Sequence, residues 1–477
     1  MAEQKPLVLD VDGTFLKTDL LFETFWAGLG RDPIGVVQAA FTHLRDPAAL
    51  KHILADKVQL RMDLMPVHPD MKFLADEAKA AGREVALASA SDRKLVDQLA
   101  AIHGIDRVFA SDGDTNLKGK AKADALVEAY GESGFDYAGN ATVDRAIWSR
   151  AENALIVGNL PREDAALARM GKSVVHFAGG WKVRDALRAL RPHQWVKNVL
   201  LFLPLIAAHQ FEVASFLTVI AGIVAFSFAA SCIYIVNDLL DLEADRLHAK
   251  KRLRPFASGA VPISVGMTLC VALGVIALGI AAALAPAFVG VVLLYMILSL
   301  AYSLRLKRLR WIDIATLASL YTLRVVAGAA AADVYVTGYL LVFIYPIFIT
   351  LGCVKRLTEL TLATSDDRLP GRGYGRGDRG DLLNVAVLGM FGTLLIFFLY
   401  TFTDHARALY PSQWLLWVAM IPMAGWLYRM VRLGYFGKQD YDPIVFAMRD
   451  KRGIGLLLII VSLMFYAAGL FHQWFGL

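Results

Sequence analysis

The stretch Asn237-Asp238-Leu239-Leu240-Asp241-Leu242-Glu243-Ala244-Asp245 closes an apolar run long enough to cross a bilayer. Carboxylates beside hydrocarbon are costly unless they are paired or bound to a metal, so their presence there points to function. On a continuous helix Asp238, Asp241 and Asp245 stand at i, i+3 and i+7 and share one face. The opposite charge follows at once in Lys250-Lys251-Arg252-Leu253-Arg254-Pro255. Acid then base at a membrane surface is a donor set that can hold Mg²⁺ and phosphate together. A solvated loop with helix-end charges is the simpler alternative, and the rarity of intramembrane carboxylates weighs against it.

The composition around this stretch agrees with a membrane location. The 477 residues are 57% hydrophobic and only 19% charged, with a mean hydropathy of +0.49. Such values exclude an ordinary soluble globular protein. The apolarity is uneven. Residues 1–180 carry charge at soluble density and 181–477 form a series of long apolar runs, so two domains are expected with those limits. No apolar signal-peptide core precedes the first strand, which predicts a cytoplasmic N-terminal domain. Cys232, Cys270 and Cys353 lie in or beside apolar runs without metal-site spacing and read as packing residues.

From Trp195 onward the pattern predicts about nine spans of roughly 20 residues each. Their approximate limits are 193–209, 213–236, 262–284, 286–304, 312–332, 338–356, 382–403, 413–431 and 453–474. Lys and Arg concentrate after the second, fourth, sixth and eighth spans, with Arg407 the main exception. The positive-inside bias then puts those loops on the cytoplasmic face of a bacterial-type inner membrane, on the side of the soluble domain.

Further basic groups belong to that face. Arg191-Pro192-His193-Gln194-Trp195-Val196-Lys197-Asn198 reads as an interfacial entry, with Trp195 at headgroup depth and Lys197 and Asn198 toward a polar cavity. Tyr302-Ser303-Leu304-Arg305-Leu306-Lys307 and Lys355-Arg356 end other apolar runs. Each alone reads as charge bias; together with the carboxylates they read as a phosphate site. Arg324 sits inside an apolar span and needs an anionic partner. Asp333 is too far along the span to serve, which leaves a phosphate cavity or pairing across helices.

The Asn-Asp-x-x-Asp-x-x-x-Asp pattern at 237–245, over about nine spans, resembles the UbiA-type intramembrane prenyltransferase superfamily, across roughly residues 183–477. Members that attack aromatic acceptors carry a second acidic motif after the sixth span. Here that position reads Cys353-Val354-Lys355-Arg356-Leu357-Thr358-Glu359, basic where those enzymes are acidic. The departure favours the branch of polyprenyl-phosphate phosphoribosyltransferases. The Arg191–Asn198 opening, Lys251-Arg252-x-Arg254-Pro255, Tyr302-Ser303-x-Arg305-x-Lys307, Asp442-Pro443 and Arg449-Asp450 are similar to that branch.

The resemblance implies phosphoribosyl pyrophosphate as donor and a polyprenyl phosphate lipid as acceptor. It implies Mg²⁺ on Asp238, Asp241 and Asp245, with Asn237 as a neutral ligand or orienter. Lys197, Asn198, Lys251, Arg252, Arg254, Tyr302, Arg305, Lys307, Arg324, Lys355 and Arg356 are the candidate substrate contacts. No nucleic-acid partner is expected, and a homo-oligomer is compatible with the reading.

In the soluble half, Leu7-Val8-Leu9-Asp10-Val11-Asp12-Gly13-Thr14 is an apolar strand ending in two aspartates. At i and i+2 both carboxylates face one way, suiting a nucleophile beside a general acid. A second strand ends in Ser89-Ala90-Ser91 before a helix start near Asp92, where a hydroxyl can meet phosphate. Asn116-Leu117-Lys118-Gly119-Lys120-Ala121-Lys122 offers a cation, and Tyr137-Ala138-Gly139-Asn140 with Asp144 closes the set.

These four strand ends resemble the haloacid dehalogenase superfamily over residues 5–175, which implies a Rossmann-like α/β fold. The resemblance makes Asp10 the nucleophile and Asp12 the acid. Ser89 and Lys122 would hold the phosphoryl group, with Lys120 the alternative to Lys122. Mg²⁺ would lie among Asp10, Asp12, Asn140 and Asp144, although Asn140 stands where such families often carry Asp. Residues 18–70 read as a small helical cap.

Joined in one chain, the halves suggest sequential chemistry: transfer of 5-phosphoribose to the lipid, then removal of the 5-phosphate. The product would feed arabinose- or ribose-containing glycoconjugates. Three rivals are an aromatic prenyltransferase, a soluble domain that is only regulatory, and a lipid-phosphate transporter. The first would need a second acidic cluster, for which Asp366 and Asp367 are the nearby candidates.

Overall fold

The computed structural model describes residues 5–363, 368–369, 372–439 and 442–476, so Asp366 and Asp367 lie outside the described residues. The chain forms two compact units, Met1–Leu190 with Tyr234–Val271, and Arg191–Ile233 with Ala272–Leu477. The aspartate stretch thus belongs to the first unit.

The first unit is built on six parallel strands, β1 (Leu7–Asp10), β2 (Val85–Asp92), β3 (Arg107–Ser111), β4 (Asp136–Gly139), β5 (Asn153–Val157) and β6 (Ser173–Phe177), in the order β3-β2-β1-β4-β5-β6. All four residues of β1 are buried, as a central parallel strand covered on both faces requires. Leu7 and Leu9 enter one core with Leu87, Val96 and Leu99, while Val8 enters the other with Ala86, Phe135 and Trp148. The strand order reverses between β1 and β4, and the crevice beyond their carboxyl ends is where such sheets place ligands.

Asp10 ends β1 and Asn140 follows β4, so the topology delivers both to that crevice. Three helices, Leu20–Arg31, Pro33–Thr42 and Pro47–Lys57, are inserted after β1 as the expected cap. Asp19, Asp32 and Asp46 cap them by accepting first-turn amide hydrogens, and Pro33 and Pro47 stand at N1 of the last two.

Seven helices are long and apolar enough to cross a membrane, among the described residues: Val213–Leu240, Ile263–Leu284, Pro286–Leu304, Ile312–Ala332, Gly338–Leu362, Arg376–Tyr400 and Gln413–Tyr435. The expectation of nine spans is corrected at both ends of the series. Residues 193–209 form 3₁₀ turns over Pro192–Phe202 and then a short helix Leu203–Ala207. Pro192 and Pro204 each lack the amide hydrogen a regular helix needs in its interior. The last expected span divides at left-handed Gly469 into Lys451–Ala467 and Leu470–Phe475.

Pro286 does separate two helices, since Ala285 is extended between them. In the second unit the 3₁₀ segment lies directly on the Ile312–Ala332 helix. A Cβ at Gly328 would fall 1.9 Å from the Leu201 carbonyl oxygen, so only glycine admits this approach.

Candidate functional site

The soluble site is organised by hydrogen bonds from β2 and by one buried lysine. Asp12 accepts from the Leu20 amide at 2.9 Å, Ser89 Oγ at 2.9 Å and Ser91 Oγ at 2.8 Å. Lys122 Nζ donates to Asp10 Oδ1 at 2.6 Å, to the Ala88 carbonyl at 3.1 Å and to the Tyr137 hydroxyl at 3.2 Å. Burial pushes the Asp10 carboxyl up to about 7; Lys122 opposes that rise, and Asp144 and Asp12 add to it. Lys120 heads the same helix as Lys122 and is exposed, so Lys122 is the one the fold turns inward.

Asp144 has a different environment from the one a ligand set would give it. Its Oδ1 accepts from the Tyr137 hydroxyl at 3.1 Å, and its Oδ2 from the amides of Asn140 and Ala141 at 3.1 and 3.0 Å. It shapes the loop after β4. Asn140 itself abuts the first motif, since a Cβ on Gly13 would meet its Nδ2 at 2.1 Å. All three carboxylates have protein partners: Asp10 meets Lys122 and Thr14, Asp12 the Leu20, Ser89 and Ser91 donors, and Asp144 the loop after β4.

Sequence reading missed two polar groups nearby, Asp19 and Lys51. Burial, with the Asp12 charge second, raises Asp19 to about 7. Burial lowers Lys51, which donates to the Ala90 carbonyl at 2.6 Å. Asp19 reads from sequence as a helix cap only, and Lys51 as one of many surface lysines.

At the end of the Val213–Leu240 helix the carboxylates are arranged differently from a continuous ladder. The helix closes at Leu240 and resumes as Leu242–Leu247, with Asp241 between them at φ −102° and ψ 14°. The amide ladder survives the bend, because Asp241 and Asp245 still donate to the carbonyls of Asn237 and Asp241 at 3.0 and 2.8 Å. Asp238 and Asp245 are both buried, at 2% exposure, whereas Asn237 and Asp241 are half-buried.

Arg254 folds back between the two buried carboxylates. Its Nη1 donates to Asp238 Oδ1 at 3.1 Å and to Asp245 Oδ2 at 2.6 Å. Burial nevertheless raises the Asp245 carboxyl above its ordinary range, Arg254 pulling the other way and Asp238 adding to the rise. Lys251 and Arg252 point to the exterior.

Among the described residues no three His, Cys, Asp or Glu side chains gather as a ready metal centre. Two carboxylates meeting one cation do fit Mg²⁺, which commonly takes one or two protein carboxylates and completes its octahedron with water and substrate phosphate. Of the three expected aspartates, Asp238 and Asp245 are the two that meet Arg254.

The second unit holds the other predicted cations, and most have protein anions. Buried Lys197 pairs with Asp442, whose Oδ2 also lies 3.9 Å from Lys355 Nζ. Burial pushes Asp442 up, but Lys197 and Lys355 outweigh it and hold the carboxyl at about 2. Arg356 is fully buried, with its Nε 2.6 Å from Asp313 Oδ2 and a second pairing to Glu359. The Tyr302 hydroxyl donates to Asp313 at 2.9 Å and accepts from Arg356 and Arg372 at 3.1 and 2.9 Å. Arg356 and Tyr302, expected as substrate contacts, therefore belong to a satisfied network around Asp313.

Arg324 resolves its two alternatives toward packing across helices. It donates to Asn198 Oδ1 at 3.1 Å, the Leu320 carbonyl at 2.7 Å and the Tyr295 hydroxyl at 3.1 Å. The rings of Phe226, Tyr295 and Tyr321 surround its guanidinium at 5.3, 4.9 and 5.5 Å. Asn198 also donates to Ser227, and Trp195 donates to Ser231. Lys307 is buried and Arg305 exposed. Beside these polar groups the unit contains an apolar cavity of about 300 Å³, lined by Phe343, Phe348, Leu351, Trp426, Ile444 and Met448 among others.

Residues 198–371 match the family model of the UbiA prenyltransferase family. The chain is 34% identical to the Sinorhizobium fredii protein y4nM over 95% of its own length and 89% of that protein. It is 32% identical to the decaprenyl-phosphate phosphoribosyltransferase of Mycobacterium tuberculosis, over 59% of this chain and 93% of that protein. A haloacid dehalogenase family hydrolase from Salmonella enterica superposes with a TM-score of 0.28 at 16% identity, over 36% of this chain and 68% of that one. With relatives of such identity spanned over nearly their whole length, this multi-pass membrane chain, whose N-terminal part is a parallel-sheet α/β domain, belongs to the UbiA prenyltransferase family.

Proposed function

We propose that the chain is a bifunctional membrane enzyme acting at the cytoplasmic face. Its membrane part transfers 5-phosphoribose from phosphoribosyl pyrophosphate to a polyprenyl phosphate, and its soluble part removes the 5-phosphate to leave polyprenyl-phosphoryl ribose. Similarity to a decaprenyl-phosphate phosphoribosyltransferase supports the donor and acceptor classes. The observation that carries the reading is the meeting of Asp238 and Asp245 on the Arg254 guanidinium, at 3.1 and 2.6 Å.

In the transfer, the bond from ribose C1 to the pyrophosphate oxygen breaks as a lipid phosphate oxygen bonds to C1. The acceptor is already anionic, so no strong general base is needed. Mg²⁺ on Asp238 and Asp245 supplies charge to the departing pyrophosphate when bound. Arg254 is placed to exchange its carboxylate partners for phosphate oxygens, and Lys251 and Arg252 stand beside it on the same loop to lessen the repulsion between donor and acceptor.

In the soluble part, Asp10 attacks phosphorus as the bond to the ribose oxygen breaks and Asp12 protonates that oxygen; Asp12 then takes a proton from the water that hydrolyses the aspartyl phosphate and frees Asp10. Lys122 holds Asp10 as a carboxylate and then neutralises a phosphoryl oxygen, and the Ser89 and Ser91 hydroxyls orient Asp12. An aromatic acceptor fits less well, because the position after the sixth expected span holds Lys355 and Arg356.

Mass spectrometry of the lipids formed from phosphoribosyl pyrophosphate and polyprenyl phosphate tests both halves. Wild type yields the dephosphorylated ribose lipid and Asp10→Asn accumulates its 5-phosphate. Equal accumulation by wild type overturns the second step, and no ribose-linked lipid at all overturns the first.

A further inference from the structure

Within the first unit, Arg246 directly follows Asp245 and turns to the opposite side. Its Nη2 and Nη1 meet Glu23 Oε1 and Oε2 at 2.6 and 3.1 Å as a two-pronged pair, with both side chains at 6% exposure or less. Glu23 is further held by Thr18 Oγ1 at 2.6 Å, and Arg246 Nε donates to the Ala257 carbonyl at 3.0 Å. Arg246 thus ties three segments together: the first cap helix, the short helix carrying Asp245, and the loop carrying Arg254.

A second contact presses the same loop onto the first motif's exit. Gly259, at φ +69°, lies so close that a Cβ there would stand 2.5 Å from Lys17 Cβ. The helix that carries Glu23 begins at Leu20, whose amide donates to Asp12. One run of bonds therefore joins Asp12 to Asp245: the Leu20 amide, Glu23 one turn on, then Arg246.

We propose that Glu23 and Arg246 are positioning residues for the Asp238–Asp245 site, so that the soluble domain is a structural part of the transfer centre as well as a second enzyme. Arg246 bonds to Glu23 and the Ala257 carbonyl and touches no reacting atom. A buried two-pronged arginine–carboxylate pair fixes orientation as well as charge, and groups that orient metal-binding carboxylates set the affinity of the site. The proposal rests on the reading of Asp238 and Asp245 as a cation site but not on the identity of the donor.

The test uses the full-length protein in detergent or nanodiscs. Glu23→Gln, Arg246→Lys and the double variant Glu23→Gln/Arg246→Lys are compared for the Mg²⁺ concentration giving half-maximal transfer, p-nitrophenyl phosphate hydrolysis, and amide exchange of 238–257. Glu23→Gln should raise the half-maximal Mg²⁺ by about tenfold or more and speed exchange in that segment, with hydrolysis unchanged. Arg246→Lys, which keeps the charge without the fork, should fall between, and the double variant should be no worse than the weaker single one.

Unchanged Mg²⁺ dependence and unchanged exchange in folded variants overturn the proposal, as does an additive double variant. If Glu23→Gln does not fold, Thr18→Val, which removes one donor to Glu23, is read in the same way at smaller amplitude. If wild type transfers nothing from phosphoribosyl pyrophosphate, the donor assignment fails, while exchange of 238–257 still decides on the pair.

Discussion

The soluble and membrane-end sites both place aspartates against one basic side chain, and they use it in opposite ways. At the soluble site Lys122 is a point charge on a single oxygen of Asp10, and Asp12 is held by hydroxyls and an amide. The two carboxylates are thereby made chemically unequal, which a nucleophile and an acid must be. At the membrane end a single guanidinium nitrogen, Nη1 of Arg254, donates to both Asp238 and Asp245, at 3.1 and 2.6 Å. A charge pair shared in this way stores anionic density for a cation to claim. The lesson is that the geometry of the basic partner, more than the number of aspartates, separates reactive from binding carboxylates.

The strongest way to break this comparison is to neutralise one carboxylate in each site. Asp10→Asn should abolish phosphatase turnover by a factor on the order of 10³ or more and leave ribose transfer to lipid intact. Asp245→Asn should do the reverse, measured with the same two assays on the same preparation. Loss of both activities from either change would mean that the sites are not chemically distinct.

Arg254→Ala comes next. It leaves Asp238 and Asp245 facing each other without their shared cation, and transfer should fall about 10- to 100-fold. The Asp245 carboxyl, already raised by burial and relieved in part by Arg254, should titrate at still higher pH, so the lost activity should be worst in acid. Recovery at high pH is the measurement that checks it.

Arg356→Met addresses stability alone. Removing a fully buried guanidinium leaves Asp313 with Tyr302 and Arg372 as its remaining partners, at a cost of about 3–5 kcal/mol, and Asp313→Asn in the same chain should restore part of the loss of Tm. A direct role of Arg356 in phosphate binding would instead show as a raised KM without lowered Tm.

The smallest expected effect is on the soluble pH profile. Asp10 works as an anion, and burial holds its carboxyl near 7 against the pull of Lys122. Raised above the ordinary carboxylate range, it is protonated and inactive below that pH. Lys122→Met removes the opposing charge, so the acid limb of p-nitrophenyl phosphate hydrolysis should move to higher pH. A limb that stays in place would show that Lys122 acts on the phosphoryl group only.

Much of this was legible in the linear chain. The change from charged to apolar composition near residue 180, the Asp10–Thr14 strand end and the 237–245 aspartates each follow from local periodicity and the cost of charge beside hydrocarbon. The regular spans were also readable, because a helix of about 20 apolar residues is a local property. The irregular 193–209 segment was less so: its turns are fixed by packing against Gly328. The basic residues were found as residues but not as partners, since Asp313 is distant in the chain from Arg356 and Arg372, and Asp442 from Lys197.

Sequence by itself therefore determined which residue types this protein places at each strand and helix end, because propensity, periodicity and burial cost act over a few neighbours. Tertiary structure alone decided which charge neutralises which: Arg254 on two aspartates, Arg356 on Asp313, Arg246 on a glutamate 223 residues away. Electrostatic pairing depends on distance in space, and only the folded chain fixes that distance.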